Sequence, residues 1–294
     1  MFKKYFLQIL VVLLLVGIAW GLFLIGKNEE RKNEKNQEAS MLKLPIAENY
    51  YPIRNWQIPE PEITAKSAVV INYRPEQKDN ILFQKNPNEI LAIASLSKVM
   101  TAIVAIENYN LDEIVKISKN DEELTVKDLL YLMLVESNND ATTALAEENP
   151  KLDYKEFIDL MNSKAKEINL LNTSFVDPVG LSACNQSTAI EIVNLTKYAL
   201  KFPLLLEIIK TPETTIVSID KKFIHKITNT NKLLGKIPEL IGGKTGYTDE
   251  AGGCMMTVSK ISDNNYLITV ILDSNQREID TEKLIAWSQK AYLW

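Results

Sequence analysis

Histidine occurs once in this 294-residue chain, as His225, and cysteine only twice, as Cys184 and Cys254. That scarcity excludes zinc sites built from clustered His and Cys ligands, and metallopeptidase chemistry with them. A Ser-His-Asp triad would have to rest on His225, which sits in Lys222-Phe223-Ile224-His225-Lys226-Ile227, an alternating stretch that reads as an ordinary strand. The two cysteines are far apart in sequence; a disulfide is open to an exported protein but is not implied. Basic residues are not in excess either. With 33 Lys and Arg against 38 Asp and Glu, the net charge is −5, which leaves no basic stripe for nucleic acid. No metal, cofactor or nucleic-acid partner is expected.

What is present begins with an apolar run. Lys3 and Lys4 precede Tyr5 to Gly26, in which Gln8 is the only strongly polar residue. About 22 residues at 1.5 Å rise each span the ~30 Å hydrocarbon core of a bilayer. No small-x-small cleavage site follows at Phe23-Leu24-Ile25-Gly26-Lys27, so residues 1–26 are expected to be an uncleaved membrane anchor. Charges flank the run on both sides, and the positive-inside rule does not orient it. Residues 27–64 are charged at first and then carry Pro45, Pro52, Pro59 and Pro61, which predicts a solvated tether passing into a semi-rigid spacer. The folded domain, residues 65–294, is expected to begin near Ala65.

Within it, Ser67 to Tyr73 and Asn80 to Gln84 read as paired strands, and Ser95 to Asn108 as a helix with Val99, Ile103 and Ile106 on one stripe. Thr125 and Asp128 form a capping box that opens a helix through Val135. Helical spacing recurs at Phe157, Met161, Ala165 and Ile168, and after Thr188 and Glu191. Gly253 to Ile261 and Tyr266 to Asp273 flank a polar turn and predict a hairpin. Leu284, Trp287, Ala291 and Trp294 predict a closing helix. Strands at both ends with helices between imply an α+β domain whose terminal segments share one sheet.

Three short patterns carry the chemistry. Ser-x-x-Lys occurs at Ser40, Ser95, Ser163 and Ser218, and Ser-x-Asn at Ser118, Ser137 and Ser262; Lys-Thr-Gly occurs once, at Lys244-Thr245-Gly246. Position chooses among them. Only Ser95 starts an apolar-periodic helix, where the helix N-terminus favours developing negative charge and Lys98 lies one turn on. Ser40 lies in the tether and Ser163 inside a helix. An amine general base must be neutral, and desolvation with a nearby cation such as Lys244 arranges that. Ser137-Asn138-Asn139 sets a hydroxyl and an amide on a turn between helices. Ser262-Asp263-Asn264 lies in the predicted hairpin turn and is a decoy. The glycines around Lys244 let a peptide backbone approach a strand. A P-loop is excluded because Pro238 stands where its first glycine is needed.

Ala94 to Ala102, Asp128 to Ala141, Thr173 to Leu181, Asn229 to Leu234, Lys244 to Thr248 with Ala251-Gly252, and Arg277 together resemble the low-molecular-mass penicillin-binding proteins, the D-alanyl-D-alanine carboxypeptidase family of serine peptidases. The resemblance runs from about Ala65 to Trp294. It implies a β-lactamase/penicillin-binding-protein-like domain, an antiparallel sheet flanked by helices. It implies that Ser95 attacks the carbonyl between two D-alanines of a peptidoglycan stem peptide, that Lys98 takes its proton, and that Ser137 and Asn139 complete the proton path and grip the substrate. Lys244, Thr245, Gly246, Tyr247 and Arg277 would bind the substrate and its carboxylate, with the backbone N–H groups of Ser95 and Tyr247 as the oxyanion hole. β-Lactams would be covalent inhibitors, and the catalytic domain would lie outside the cytoplasm on a single-pass anchor. Many family members carry a second β domain and a C-terminal amphipathic anchor, and here the expected anchor is N-terminal. The segment Lys116 to Leu124 looks short for the family, and Asn138 replaces a familiar glycine at what is expected to be a solvent-facing position. A serine β-lactamase remains an alternative; its deacylation base would be Glu167 in Glu167-Ile168-Asn169-Leu170-Leu171, which lacks the final Asn. DD-endopeptidase or transpeptidase activity uses the same residues, and a non-catalytic wall-binding protein would need neither nucleophile nor base.

Overall fold

A computed structural model describes residues 17, 20–27, 29, 31, 32, 52–148 and 151–294. The chain divides into residues 1–50 and 51–294. In the first part residues 20–27 are helical. Among the described residues no helix is long and apolar enough to cross a membrane; most of the anchor expected over residues 1–26, and most of the charged stretch after it, lies outside the described residues.

The second part is organised by one antiparallel sheet. Its strands are β2 (Ser67–Tyr73), β3 (Asn80–Lys85), β10 (Leu240–Thr248), β11 (Gly252–Ser262) and β12 (Asn265–Ser274), in the order β10-β11-β12-β2-β3. The terminal segments share the sheet as the sequence predicts. Side chains alternate along each strand, so Val69 and Ile71 of β2 join one apolar cluster while Ala68 and Val70 join another. The same division separates Ile268, Val270 and Leu272 from Leu267 and Ile271 on β12. A sheet apolar on both faces must be covered on both.

One face carries the helical body, formed by α1 (Ser97–Asn108), α2 (Val126–Val135), α3 (Asn139–Glu147), α4 (Tyr154–Glu167), α5 (Ala189–Ala199) and α6 (Pro203–Ile209). The capping box expected at Thr125 and Asp128 opens α2, and another at Asp153 and Glu156 opens α4. Short pairs complete this body: β4 (Leu91–Ala92) with β7 (Gln186–Ser187), β5 (Ile114–Ile117) with β6 (Glu122–Thr125), and β8 (Glu213–Val217) with β9 (Ile224–Thr228). His225 is indeed a strand residue. Its Nε2 lies 2.5 Å from the buried carboxylate of Glu122, which ties the last two hairpins together.

The other face is covered by α7 (Arg277–Ala291), whose Leu284, Ile285 and Trp287 pack on the sheet. Two expectations are corrected here. The closing helix stops at Ala291 rather than reaching Trp294, and β13 (Tyr292–Leu293) pairs antiparallel with β1 (Ile53–Arg54). The folded part accordingly begins near residue 51 and not at Ala65. Residues 52–64 are a strap over α7, not a free spacer: Trp287 Nε1 donates to the Pro59 carbonyl at 2.8 Å, and the Arg54 guanidinium sits 4.8 Å from the Trp287 ring centroid. Prolines that signal an extended linker suit an extended strap equally well, because neither needs a regular ladder of backbone hydrogen bonds.

Candidate active site

Ser95 lies in a 3-10 turn, Ala94–Leu96, that leads directly into α1. Ala94 has φ +46°, a left-handed conformation that non-glycine residues rarely adopt. The surrounding loop holds it there. Ser97 Oγ donates to the Ala94 carbonyl at 2.9 Å and accepts from Asn185 Nδ2 at 3.0 Å. Asn185 also binds the Asp177 carbonyl, and the Asp177 carboxylate accepts from the backbone N–H groups of Val179 and Ser182 at 2.8 and 2.9 Å. Gly180 closes the lock: with φ +86°, a Cβ there would lie 2.0 Å from the Ala94 oxygen.

Lys98 sits one turn along α1, fully buried. Its Nζ contacts Ser95 Oγ at 2.9 Å, Asn139 Oδ1 at 2.9 Å and the Val179 carbonyl at 2.8 Å. Burial pushes this amine down to about 7, against a small opposing pull from Asp177. Two of its three partners are pure acceptors. A neutral amine has two N–H bonds to give them, so its lone pair is left for Ser95, whose hydroxyl must then be the donor. The geometry turns Lys98 into a base aimed at one proton.

Facing this pair are Ser137 and β10. Ser137 occupies the junction between α2 and α3 with φ +65°, and Asn139 is the first residue of α3. Asn138 is more than a tolerated substitution: its Oδ1 accepts from Ala141 N–H and caps α3. Lys244 Nζ, buried in β10, donates to Ser137 Oγ at 2.8 Å and to the Thr245 carbonyl at 2.9 Å. Burial first, and then the charges of Lys98 and Arg277, hold Lys244 well below the usual lysine range. Of the two causes expected for a neutral Lys98, desolvation is the main one, while the repulsion between the two lysines is felt on Lys244.

β10 is an edge strand, with one row of backbone groups unpaired by the sheet. Gly246 lets it approach the nucleophile, since a Cβ at that position would come 2.8 Å from Ser95 N. Thr245 Oγ1 bonds Thr230 Oγ1 at 2.7 Å. Arg277, at the start of α7, donates from Nη1 to the Gly246 carbonyl at 2.7 Å. The Tyr247 ring points outward, its hydroxyl bonding Asp249.

The structure therefore brings Ser95, Lys98, Ser137, Asn139, Lys244, Thr245, Gly246 and Arg277 to one place. The discarded motif copies go elsewhere: Ser163 is within α4, and Ser262 closes β11 before the hairpin turn. Sequence reasoning missed the Val179 carbonyl, Asp177, Asn185, Ser97 and Thr230. All but Asn185 fall in stretches that carry the family resemblance, and the physical signal was the Asp-Pro-Val-Gly run, a turn pattern beside an apolar helix. Cys184 is exposed and Cys254 buried, and both are free thiols.

A family model described as D-alanyl-D-alanine carboxypeptidase matches residues 55–276. A D-alanyl-D-alanine endopeptidase of Escherichia coli is 32% identical over 231 residues, which are 73% of this chain and 73% of that one. The D-alanyl-D-alanine carboxypeptidase DacF of Bacillus subtilis is 34% identical over 251 residues, 78% of this chain and 63% of its own length. Among solved structures, a penicillin-binding protein of Listeria monocytogenes in its cefotaxime-bound form superposes with a TM-score of 0.67 at 30% identity, covering 79% of this chain and 99% of that one. The match contains all three motifs, and the chain belongs to the D-alanyl-D-alanine carboxypeptidase family of serine peptidases.

Proposed function

We propose that this protein is a serine-type D-Ala-D-Ala carboxypeptidase that acts on peptidoglycan stem peptides through an acyl-Ser95 intermediate. The observation that carries the reading is the lone pair of Lys98, left by its two carbonyl partners for the Ser95 hydroxyl. Ser95 Oγ gives its proton to Lys98 and bonds to the carbonyl carbon of the penultimate D-alanine. The tetrahedral oxyanion is held by the N–H groups of Ser95 and Tyr247; such preorganised donors are commonly worth about 3 kcal/mol each. Collapse breaks the C–N bond, and the departing amine takes a proton through Ser137. Water, deprotonated by Lys98, then releases the acyl group and restores Ser95. The stem peptide extends along edge strand β10, Asn139 grips its amide, and Lys244, Thr245 and Arg277 receive the terminal carboxylate.

β-Lactams are proposed to acylate Ser95 as substrate mimics, in keeping with the cefotaxime-bound relative. A β-lactamase fate is disfavoured by Glu167, the one carboxylate with suitable spacing, which is exposed and pairs with Lys164 beside Glu107 at the far end of α1. Residues 1–26 are proposed as an uncleaved anchor that holds the catalytic domain outside the cytoplasm, supported by the apolar run from Tyr5 to Gly26. Similarity to the Escherichia coli endopeptidase favours a second reading, cleavage of a D-Ala crosslink by the same residues.

Incubation with a labelled penicillin, read by intact mass, tests the nucleophile. One adduct is expected on the wild type and none on Ser95→Ala; labelling that survives in the variant sinks the assignment. A pentapeptide ending in D-Ala-D-Ala, set beside a crosslinked muropeptide dimer, then separates the two readings by which one releases product faster.

A further inference from the structure

Arg277 reaches the active site from the first residue of α7, a helix that otherwise lies on the opposite face of the sheet. Its placement has to be secured from behind. One turn along, Asp280 is completely buried, and a single carboxylate oxygen, Oδ2, accepts four hydrogen bonds. They come from Thr64 N–H at 3.0 Å, Thr64 Oγ1 at 2.7 Å, Ala65 N–H at 2.9 Å and Ser274 Oγ at 2.7 Å. Thr64 ends the strap and Ala65 follows it, and Ser274 ends β12. The helix start is thus pinned to two other segments through one side chain.

We infer that Asp280 is a positioning residue for Arg277, so that the strap belongs to the carboxylate-binding end of the site although none of it touches substrate. Ser274 also accepts from Gln276 N–H at 3.0 Å, which sets the turn out of β12. The Arg277 stem then crosses the backbone at Gly253, where an added Cβ would come 3.2 Å from Arg277 Cβ. That crossing leaves the guanidinium within 2.7 Å of the Gly246 carbonyl, beside Lys244 and Thr245. A carboxylate has the acceptor capacity and charge for four donors; an amide oxygen in its place keeps the shape but weakens each bond. Loss of the node lets the first turn of α7 swing, and Arg277 moves with it.

The inference rests on the proposed peptidase reading, in which Arg277 meets the terminal carboxylate. The test uses the full-length chain with two substrates, a peptide ending in free D-Ala-D-Ala and its C-terminal amide. Asp280→Asn and the milder Thr64→Val are expected to raise KM for the free acid about tenfold, to leave kcat within about twofold, and to change the amide little. In the Arg277→Ala background neither substitution should raise KM further, because the contribution they remove acts through that guanidinium. Thr64→Ser, which keeps the hydroxyl, should restore wild-type values. Additive losses in the Arg277→Ala background, or equal losses for acid and amide, would overturn the positioning role. Penicillin labelling of Ser95 in every variant is the separate check: if the wild type takes no label the peptidase reading fails, and if all variants label while KM is unmoved only this inference does.

Discussion

Lys98 shows how a residue's surroundings replace a second charge. A lysine ordinarily titrates far above neutrality, and the amine here is brought to about 7 chiefly by desolvation. The sign of the resulting pH dependence follows. Below 7 the amine is an ammonium whose three N–H groups are all donated, and Ser95 has nowhere to send its proton. The acylation rate with penicillin is expected to rise about tenfold per pH unit up to roughly 7 and then level off. Stopped-flow acylation from pH 5 to 9 measures this; a rate flat across neutrality would remove Lys98 as the base. At this scale the sequence was legible for side chains that announce themselves by motif. It named desolvation as one way to a neutral Lys98 but was silent on what buries it, and on the Val179 carbonyl, which every residue type carries; both depend on segments distant in sequence.

At the scale of elements, the nucleophile is held less by its own helix than by the loop that crosses it. Asp177, Asn185 and Gly180 shape that loop, which hands a carbonyl to Lys98 while bracing the left-handed turn at Ala94. Gly180→Ala brings a Cβ against the Ala94 oxygen and imposes a strained φ, each costing on the order of 1–3 kcal/mol. The expected outcome is acylation slowed about 100-fold or more, since displacing a reacting group by 1 Å commonly costs that much. Unchanged acylation by intact mass would show that the turn does not depend on this packing. Helices and hairpins were readable from period and caps, as α2, α5 and the β11–β12 hairpin illustrate. The loop was not, because its order comes from side-chain-to-backbone bonds that leave no periodic trace. Only the Asp-Pro-Val-Gly turn hinted at it.

For the molecule as a whole, the strap changes where the folded unit starts. The sequence suggested Ala65 because prolines and charge precede it, yet Arg54, Pro59 and Thr64 all bond to α7 or its neighbours. Removing residues 1–50 is expected to leave the melting temperature unchanged. Removing residues 1–65 strips three of the four donors from the buried Asp280 carboxylate and exposes Trp287, with an expected loss of roughly 3–5 kcal/mol and about 10 °C. Calorimetry on the two truncations decides the boundary, and equal melting temperatures would return it to Ala65.

The bond between His225 and Glu122, described above as a tie between two hairpins, has a consequence for spectroscopy. With one imidazole in the chain, an NMR spectrum contains a single set of ring C–H resonances, assigned without any mutant. Those resonances sit where two hairpins of the helical body meet, so a variant that loosens this junction moves one assigned signal. They can be followed in the same sample and buffer as the kinetics, and the sole histidine becomes a built-in reporter that the fold is intact while the catalytic amine is studied.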